Sequence, residues 1–263
     1  MNITVIIPTY KPQDYLWQCL DSLDAQTLDK RLWEVIVVLN GCTEPWLEQL
    51  NTYAAAHKDL PLRILHTEEP GVSNARNIGI DAAQGEYIGF VDDDDYVSPT
   101  YLEELYALAR PDTIAASYTK AFDETHDTIP YYIEAAYHAY ALQGSMPFHK
   151  ARKYFSGPCM KLIHRDIIGE QRFDLRFALG EDSLFMFAIS NRMHTIAFTG
   201  QQAVYYRRMR EGSASHKFNR KQIIQNCLRL IREYHTVYKT GEGYSFAFYL
   251  TRILGILHTI ISQ

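Results

Sequence analysis

The feature that most constrains the fold is the alternation of apolar, strand-like runs with segments of helical period over residues 1–120. One such segment places Leu16, Cys19, Leu20 and Leu23 at i, i+3, i+4 and i+7, which gives a helix with one apolar face. Strands that alternate with helices are typical of a parallel sheet whose faces are covered by helices. The sequence therefore predicts an α/β fold. The strand-like runs are Ile3 to Ile7, Glu34 to Leu39, Leu62 to His66, Tyr87 to Val91 and Thr113 to Tyr118.

Composition excludes several classes of protein. The 263 residues, of which 47% are hydrophobic, suffice for one large α/β domain or two small ones. A formal charge of -5 without a long basic block leaves no electrostatic footprint for nucleic acid, so we expect no nucleic-acid partner. The four scattered cysteines form no CxxC pair, which argues against a zinc site and a disulfide scaffold. Because the N-terminus also lacks the pattern of a signal peptide, we expect a cytoplasmic protein.

Four consecutive aspartates, Asp92 to Asp95, directly follow the fourth strand-like run. Carboxylates at the C-terminal end of a parallel strand lie where open α/β sheets bind their ligands. Mg²⁺ and Mn²⁺ prefer oxygen ligands and often share their shell between one or two carboxylates and a substrate phosphate. The alternative is an acidic turn that caps the following helix. The run by itself leaves both interpretations open.

Apolar spacing near the C-terminus predicts two helices there. Ile223, Ile224, Cys227 and Leu230 have amphipathic spacing, and a final apolar stretch runs from Tyr244 to Ile261. That stretch contains charged and polar residues and falls short of the ~20 uninterrupted apolar residues that span a bilayer. It either packs against the domain or a second subunit, as in a homo-oligomer, or lies peripherally at the inner face of the membrane.

Four sequence motifs follow one another along the chain: TVIIPTYK, then GVSNARNIGIDAAQGEYIGFVDDDDY, then GPCMKLIHRDII, and RFDLRFALGEDSLF followed by YYRRMREGSAS. In this order, they resemble the family 2 glycosyltransferases with the GT-A fold. The resemblance covers roughly residues 2–216. It implies a GT-A domain over residues 1–218, with a nucleotide-sugar-binding half (1–120) and an acceptor half (121–218), followed by a helical extension (219–263).

The same resemblance implies a metal-dependent, inverting glycosyltransferase. Such an enzyme moves a sugar from a nucleoside diphosphate donor, here expected to be a UDP-sugar, to a saccharide or lipid-linked acceptor in cell-surface polysaccharide or glycan synthesis. The implied cofactor is Mn²⁺ or Mg²⁺. The implied partners are the nucleotide-sugar donor and the acceptor.

The resemblance assigns the base pocket to the ends of the first two strands. Pro8, Thr9 and Tyr10 would line it, and the ring of Tyr10 suits a flat base. Where the family commonly has two aspartates, this chain has Leu39 and Asn40. Because Asn40 still carries an amide oxygen, we expect it to offer an acceptor to the base, with a weaker preference for uracil.

Arg76, in the motif NARN, is implied to contact the nucleotide. Its planar, permanently charged guanidinium could bridge base and phosphate. The alternative is a surface arginine that pairs with Glu68 or Glu69.

The family pattern DxDD falls on Asp92, Asp94 and Asp95, with Asp93 at the variable position. The resemblance makes Asp94 the direct metal ligand and turns Asp92 towards the ribose or another nucleotide hydroxyl. Asp93 is included among the nucleotide-sugar contacts, and Asp95 would reach the metal through water or the sugar. His216 could complete the metal shell, or it is a solvated loop residue.

Glu181 and Asp182 open the helical segment Ser183 to Asn191. The resemblance gives Asp182 the role of general base for the acceptor hydroxyl and lets Glu181 orient the base or the acceptor. The alternative is that both acids only cap the helix.

Three further residues match family positions near the diphosphate. Lys161 would lie near the donor phosphates or the acceptor, and Arg208 and Ser213 would belong to a loop that closes over the diphosphate. A closed loop of this kind excludes water from the donor.

Two alternative functions would be expected to show different sequence motifs from those of a glycosyltransferase. A sugar-nucleotide pyrophosphorylase would need a glycine-rich, basic phosphate loop after the first strand, and PTYKPQ is not such a loop. A catalytically silent glycan-binding homologue would not need Asp94, Asp182, Arg208 and Ser213 together.

Overall fold

A mixed eight-stranded sheet forms the centre of the computed structural model, which describes residues 1–210 and 218–262. Its strands are β1 (Ile3–Thr9), β2 (Trp33–Asn40), β3 (Leu62–Thr67), β4 (Tyr87–Phe90), β6 (Thr113–Ala116), β8 (Ser145–Pro147), β9 (Lys161–His164) and β10 (Thr195–Phe198). A second sheet contains β5 (Tyr96–Val97), β7 (Tyr118–Phe122) and β11 (Val204–Arg208). The α-helices are α1 (Asp14–Asp24), α2 (Trp46–Ala56), α3 (Val72–Ala82), α4 (Tyr101–Leu108), α5 (Tyr132–Tyr140), α6 (Arg165–Ile168), α7 (Glu181–Ala188), α8 (Arg220–Thr240) and α9 (Phe246–Ile261).

The order of strands in the large sheet is β3-β2-β1-β4-β9-β6-β10-β8. The first four strands are parallel, and β6 is parallel to β10. The sequence did not predict β9, which lies antiparallel between β4 and β6. The predicted α/β fold, with a mostly parallel sheet flanked by helices, is confirmed.

The apolar pattern of the first half explains its packing. Every residue of β1 and β2 is buried, as expected for strands that are covered on both faces. The stripe Leu16, Cys19, Leu20 and Leu23 of α1 is fully buried in the same core. The predicted helix face is therefore confirmed.

The acidic run lies between the two sheets. Residues 92–95 connect β4 of the large sheet to β5 of the small one, and β5 pairs with β11. The loop is thus held at both ends by strand pairing, and the C-terminal half of the chain reaches it through β11.

Helix α5 lies in a segment where the sequence predicted neither a helix nor a strand. Its buried residues Ile133, Ala136 and Tyr137 do follow helical spacing. Tyrosine and histidine, which occupy both buried and exposed positions here, obscured that spacing.

The two predicted C-terminal helices are confirmed as α8 and α9, which pack against each other. Leu230, Tyr234 and Phe248 bury their side chains in the main core, so both helices contribute to it. In the described part of the chain, none of the helices has the length and apolar character needed to cross a bilayer. The boundary at residue 218 stays a prediction.

Candidate active site

The predicted site residues converge at the carboxyl ends of β1, β2 and β4. Thr9 ends β1, Asn40 ends β2, and the acidic run follows β4. The Thr9 hydroxyl donates a hydrogen bond to Asp93 Oδ2 at 2.6 Å, which joins two of these strand ends directly. Burial raises the pKa of Asp93 to about 7, although the bond from Thr9 opposes this shift.

Asp95 is the most deeply buried of the four aspartates and is 4% exposed. Its two carboxylate oxygens accept hydrogen bonds from the Tyr205 hydroxyl (2.6 Å) and the Arg208 backbone N–H (2.8 Å). Burial and the neighbouring Asp94 carboxylate raise the pKa of Asp95 well above its ordinary value. Both donors belong to β11, so this strand fixes the position of Asp95.

Asp92, Asp94 and Asp95 form a cluster of three carboxylates that fits a hard divalent cation. Each offers an oxygen atom, and these oxygens lie within 4.8 Å of one another. Burial and the charge of Asp92 raise the pKa of Asp94, whereas its contact with Arg210 at 2.5 Å opposes the shift. An all-oxygen donor set with mutual repulsion is the chemistry that Mg²⁺ or Mn²⁺ satisfies.

Arg76 joins the acidic run to the predicted catalytic acids. Its side chain is 3% exposed, and its two terminal nitrogens contact Asp92 Oδ1 at 2.8 Å and Asp182 Oδ1 at 2.6 Å. The guanidinium also lies over the Phe173 ring, 5.3 Å from its centroid. The alternative of a surface arginine paired with Glu68 or Glu69 is therefore wrong. The nucleotide contact of Arg76 stays a prediction.

The predicted catalytic acids Glu181 and Asp182 occupy the first turn of α7, directly after Gly180. Gly180 has a positive φ of 83° and is the N-cap, so no side chain caps the helix from that position. Burial raises the pKa of Glu181 to about 7. Burial also raises the pKa of Asp182, while Arg76 opposes that shift.

A cavity of about 200 Å³ lies between the acidic run and α7. Its lining includes Asp92, Lys161, Asp182, Arg207 and Gly157. A Cβ atom at Gly157 would lie 3.6 Å from Asp182 Oδ2, so the second oxygen of this carboxylate faces the glycine. The Asp182 side chain lines the cavity and is 30% exposed, so its carboxylate can be reached from the cavity.

Lys161 is buried beneath one wall of the cavity. Its Nζ donates to the carbonyl oxygens of Gly157 (2.7 Å) and Cys159 (2.6 Å). Burial lowers the pKa of Lys161 to about 7. The geometry thus gives Lys161 a role in shaping the 157–159 turn, and its predicted contact with donor or acceptor is untested.

The base pocket departs from expectation at Asn40. This residue is 2% exposed; its amide nitrogen donates to the Thr9 carbonyl (2.7 Å), and its amide oxygen accepts from the Gly71 N–H (2.8 Å). Buried polar groups need such partners, so both ends of the Asn40 amide are bonded within the protein, and its contact with the base stays a prediction. Asn40 fixes the end of β1 to the start of α3. Pro8 is buried in β1, whereas Tyr10 is 50% exposed and remains accessible to a ligand.

Arg208, the last residue of β11, lies against the acidic run, and its predicted contact with the diphosphate stays a prediction. Its Nε donates to the Asp94 carbonyl at 3.0 Å, and its Nη2 donates to Gln18 Oε1 at 2.5 Å. Ser213 and His216 lie outside the described residues.

The sequence analysis missed two residues that hold the acidic run, Tyr205 and Arg210. Tyr205 contacts Asp95 and also accepts the Asp92 N–H at 3.2 Å. One signal was available for Tyr205. Alternation along β11 places it on the same face as Arg207, which lines the cavity. Arg210 Nη1 also donates to the Tyr15 hydroxyl at 2.8 Å, a contact that no sequence spacing indicates.

Solved structures with the same fold bind nucleotide sugars. The first 349 residues of TarS from S. aureus, in complex with UDP-GlcNAc, align with a TM-score of 0.76 at 22% identity, covering 100% of this chain and 73% of that chain. The mannosyltransferase PcManGT from Pyrobaculum calidifontis, in complex with GDP-Man and Mn²⁺, aligns with a TM-score of 0.66 at 17% identity, covering 98% and 69%. At these identities the likeness shows the fold.

Sequence comparison identifies the family. The putative glycosyltransferase EpsH of Bacillus subtilis (strain 168) is 29% identical over 216 residues, which are 78% of this chain and 60% of that protein. The chain spans 60% or less of the length of the first curated relatives that it matches. Residues 4–171, more than half of the chain, match the profile of Glycosyl transferase family 2. The predicted family is thus confirmed, and the chain belongs to glycosyl transferase family 2.

Proposed function

We propose that this protein is a metal-dependent, inverting glycosyltransferase that moves a sugar from a nucleoside diphosphate to a saccharide or lipid-linked acceptor. Residues 1–218 would form the transferase domain. The observation that carries the proposal is the buried Arg76, which contacts Asp92 of the acidic run and Asp182 of α7 at once. One guanidinium thus ties the proposed donor side to the proposed base.

The three carboxylates of Asp92, Asp94 and Asp95 would hold the cation, with Asp94 as the principal ligand. When bound, Mn²⁺ or Mg²⁺ would neutralise the charge that develops on the departing diphosphate. Asp95 would contribute less directly, since both of its oxygens already accept hydrogen bonds from β11.

Asp182 would remove the proton from the acceptor hydroxyl. Arg76 engages Oδ1, so Oδ2, which faces Gly157, is the oxygen positioned to accept that proton. A base works best when its pKa lies near the working pH, and burial moves the pKa of Asp182 upwards in that direction. The other carboxylates that line this cavity, Asp92 and Asp95, belong to the proposed metal site, so the proposal is a single, inverting displacement with Asp182 as the base.

UDP is the proposed carrier, supported by the UDP-GlcNAc complex of TarS. The GDP-Man complex of PcManGT makes GDP the competing carrier, and the internal use of the Asn40 amide leaves the choice to other groups. By analogy with relatives named for poly(ribitol-phosphate) glycosylation, we propose a role in cell-surface polysaccharide synthesis.

A donor-hydrolysis assay tests the proposal. We expect the protein with Mn²⁺ to release the nucleoside diphosphate from UDP-GlcNAc or UDP-glucose faster than from GDP-mannose. A chelator should abolish this activity. Asp94→Asn and Asp182→Asn should each slow turnover by about 10²-fold or more. The exposed Asp59, changed to Asn, is the matched control and should be unaffected.

Wild-type activity that is equal with the metal and with the chelator would contradict the metal dependence. Binding of a nucleotide sugar without any turnover, with and without a panel of acceptors, would instead favour the silent glycan-binding homologue. Formation of a nucleotide sugar from nucleoside triphosphate and sugar phosphate would favour the pyrophosphorylase.

A further inference from the structure

A second cavity, distinct from the candidate active site, lies beside the first half of α8. Its volume is about 460 Å³. We propose that this cavity, the arginine pocket, binds a phosphate group of the acceptor; this inference rests on the proposed function. The polar side chains that line the pocket are Arg176, Gln222, Gln225, Asn226, Arg229 and Arg232.

The pocket carries positive charge that its own carboxylates do not neutralise. Arg176 is compensated, because it pairs with Asp174 at 2.5 Å and with Glu233 at 2.9 Å. In residues 1–210 and 218–262, no carboxylate forms a salt bridge with Arg229 or Arg232. Two guanidinium groups therefore face the cavity without a salt bridge to a described carboxylate, in a chain whose net charge is -5. Asp174, which pairs with Arg176, lies near enough to Arg229 for that charge to help lower the pKa of Asp174.

One of these guanidinium groups is also held in place. Arg229 lies over the Phe177 ring, 5.3 Å from its centroid, and donates to the Arg176 carbonyl at 3.2 Å. A side chain that is already ordered loses less conformational entropy when a ligand binds. The pocket is thus partly preorganised for an anion.

Phosphate is the anion that this arrangement suits. Guanidinium groups form bidentate, charge-assisted hydrogen bonds to phosphate oxygens, and the side-chain amides of Gln222 and Gln225 can donate to the same group. A neutral sugar would displace the water around two cations without offering a charge in return. The lining therefore favours a phosphodiester or a diphosphate over a neutral saccharide.

The segment 176–182 connects the pocket to the proposed base. Asn226 of α8 donates to the Leu179 carbonyl at 2.9 Å, and Leu230 packs on Gly180. Ala178 lines both the arginine pocket and a neighbouring cavity of about 280 Å³ that extends to Glu181. Six residues of extended chain span at most about 20 Å, so a phosphate in the pocket would lie within a few sugar or polyol units of the reacting hydroxyl.

Equilibrium binding with three probes tests the proposal. The probes are an oligo(glycerol phosphate), a diphosphate-linked N-acetylglucosamine on a short polyprenyl chain, and a neutral oligosaccharide of similar length. Binding of the first probe alone identifies a phosphodiester polymer as the acceptor, and binding of the second alone identifies a lipid diphosphate; either result supports the pocket. Binding should weaken as salt is raised.

The proteins compared are the wild type, Arg232→Gln, the double variant Arg229→Gln with Arg232→Gln, and Lys239→Gln. Lys239 is an exposed cation near the other end of α8, so it controls for the loss of charge. We expect Arg232→Gln to raise Kd for the phosphate probe by about tenfold and the double variant to raise it further, with Lys239→Gln near wild type. Arg232→Gln makes the test independent of the packing of Arg229, and thermal melting confirms that each variant is folded.

The proposal would be overturned if the wild type failed to bind either phosphate probe, or if Arg232→Gln, the double variant and Lys239→Gln had equal Kd values. Tighter binding of the neutral oligosaccharide would do the same. Donor binding by the wild type is measured separately. Its absence would count against the proposed function, while the phosphate probes would still decide the role of the pocket.

Discussion

Replacement of Arg76 should separate catalysis from stability more clearly than any other change at the site. In Arg76→Gln, Asp92 and Asp182 lose their common cation and keep their negative charges. Arg76→Lys restores one positive charge, but a single ammonium group lacks the planar fork that contacts two carboxylates in fixed directions. We therefore expect the two variants to differ in stability and to resemble each other in turnover.

The size of the effect follows from burial. Breaking a buried ion pair typically costs about 3–5 kcal/mol, because the remaining charge is left without a partner. Here the Asp92 and Asp182 side chains are 37% and 30% exposed, so water can replace part of the lost interaction. We expect Arg76→Gln to lower the free energy of unfolding by about 2–3 kcal/mol, and Arg76→Lys to recover much of that loss.

Turnover should respond differently from stability. Arg76 holds the proposed base in position, so both variants should lower kcat by about 10²-fold or more. Arg76 also opposes the burial that raises the pKa of Asp182. Without this cation the base stays protonated to a higher pH, and the acidic limb of the pH–rate profile of Arg76→Gln should move upwards.

Urea unfolding and nucleotide release measured across the pH range test both expectations. Arg31→Gln is the control, since Arg31 forms an ion pair with Asp29 at the surface, and it should keep wild-type turnover. Wild-type turnover in Arg76→Lys would refute the need for a two-armed bridge. An acidic limb that does not move in Arg76→Gln would refute the electrostatic coupling to Asp182.

Three further changes test the walls and supports of the site. The backbone at Gly157 is extended, so Gly157→Ala should fold normally. Its methyl group would fill the space beside the second oxygen of the proposed base. We therefore expect kcat with acceptor to fall while Kd for the donor stays constant. Burial lowers the pKa of Lys161 from 10.5 to about 7, so the unfolded chain binds more protons between these values and stability rises with pH. Between pH ~7 and ~8.5, the free energy of unfolding in urea should rise by about 2 kcal/mol less in Lys161→Met than in the wild type. The same pH dependence in both proteins would contradict the lowered pKa of Lys161. Tyr205→Phe removes a donor to the buried Asp95 and should cost about 1–3 kcal/mol of unfolding free energy, whereas equal losses in Tyr205→Phe and Tyr206→Phe would argue against that hydrogen bond.

Much of the fold was predictable, because strand and helix periods are local properties of the chain. The β1 and β2 runs and the stripe of α1 were read from apolar spacing alone, and the structure buries them as expected. The antiparallel insertion of β9 between β4 and β6 was not predictable. Which strands become neighbours depends on pairing between distant segments, and a single apolar run carries no such information.

The candidate site divides in the same way. Asp92 to Asp95 and the pair Glu181 and Asp182 could be identified from residue type and from their place at element ends. The partners of these side chains could not, because several of the contacts join residues more than a hundred positions apart, as in Tyr205 with Asp95 or Arg76 with Asp182. Asn40 is the clearest case: its chemistry suited a base contact, and the close approach of Thr9 and Gly71 uses both ends of its amide.

The sequence by itself determined the α/β class, the family and the position of the acidic groups, since these follow from local period and motif. Only the tertiary structure decided that Arg76 lies between the two groups of acids and that the arginines of α8 and Arg176 line one pocket. The physical reason is that charge acts through space. The pKa of an ionisable group and the energy of its interactions depend on its burial and its neighbours, and folding alone brings those neighbours together.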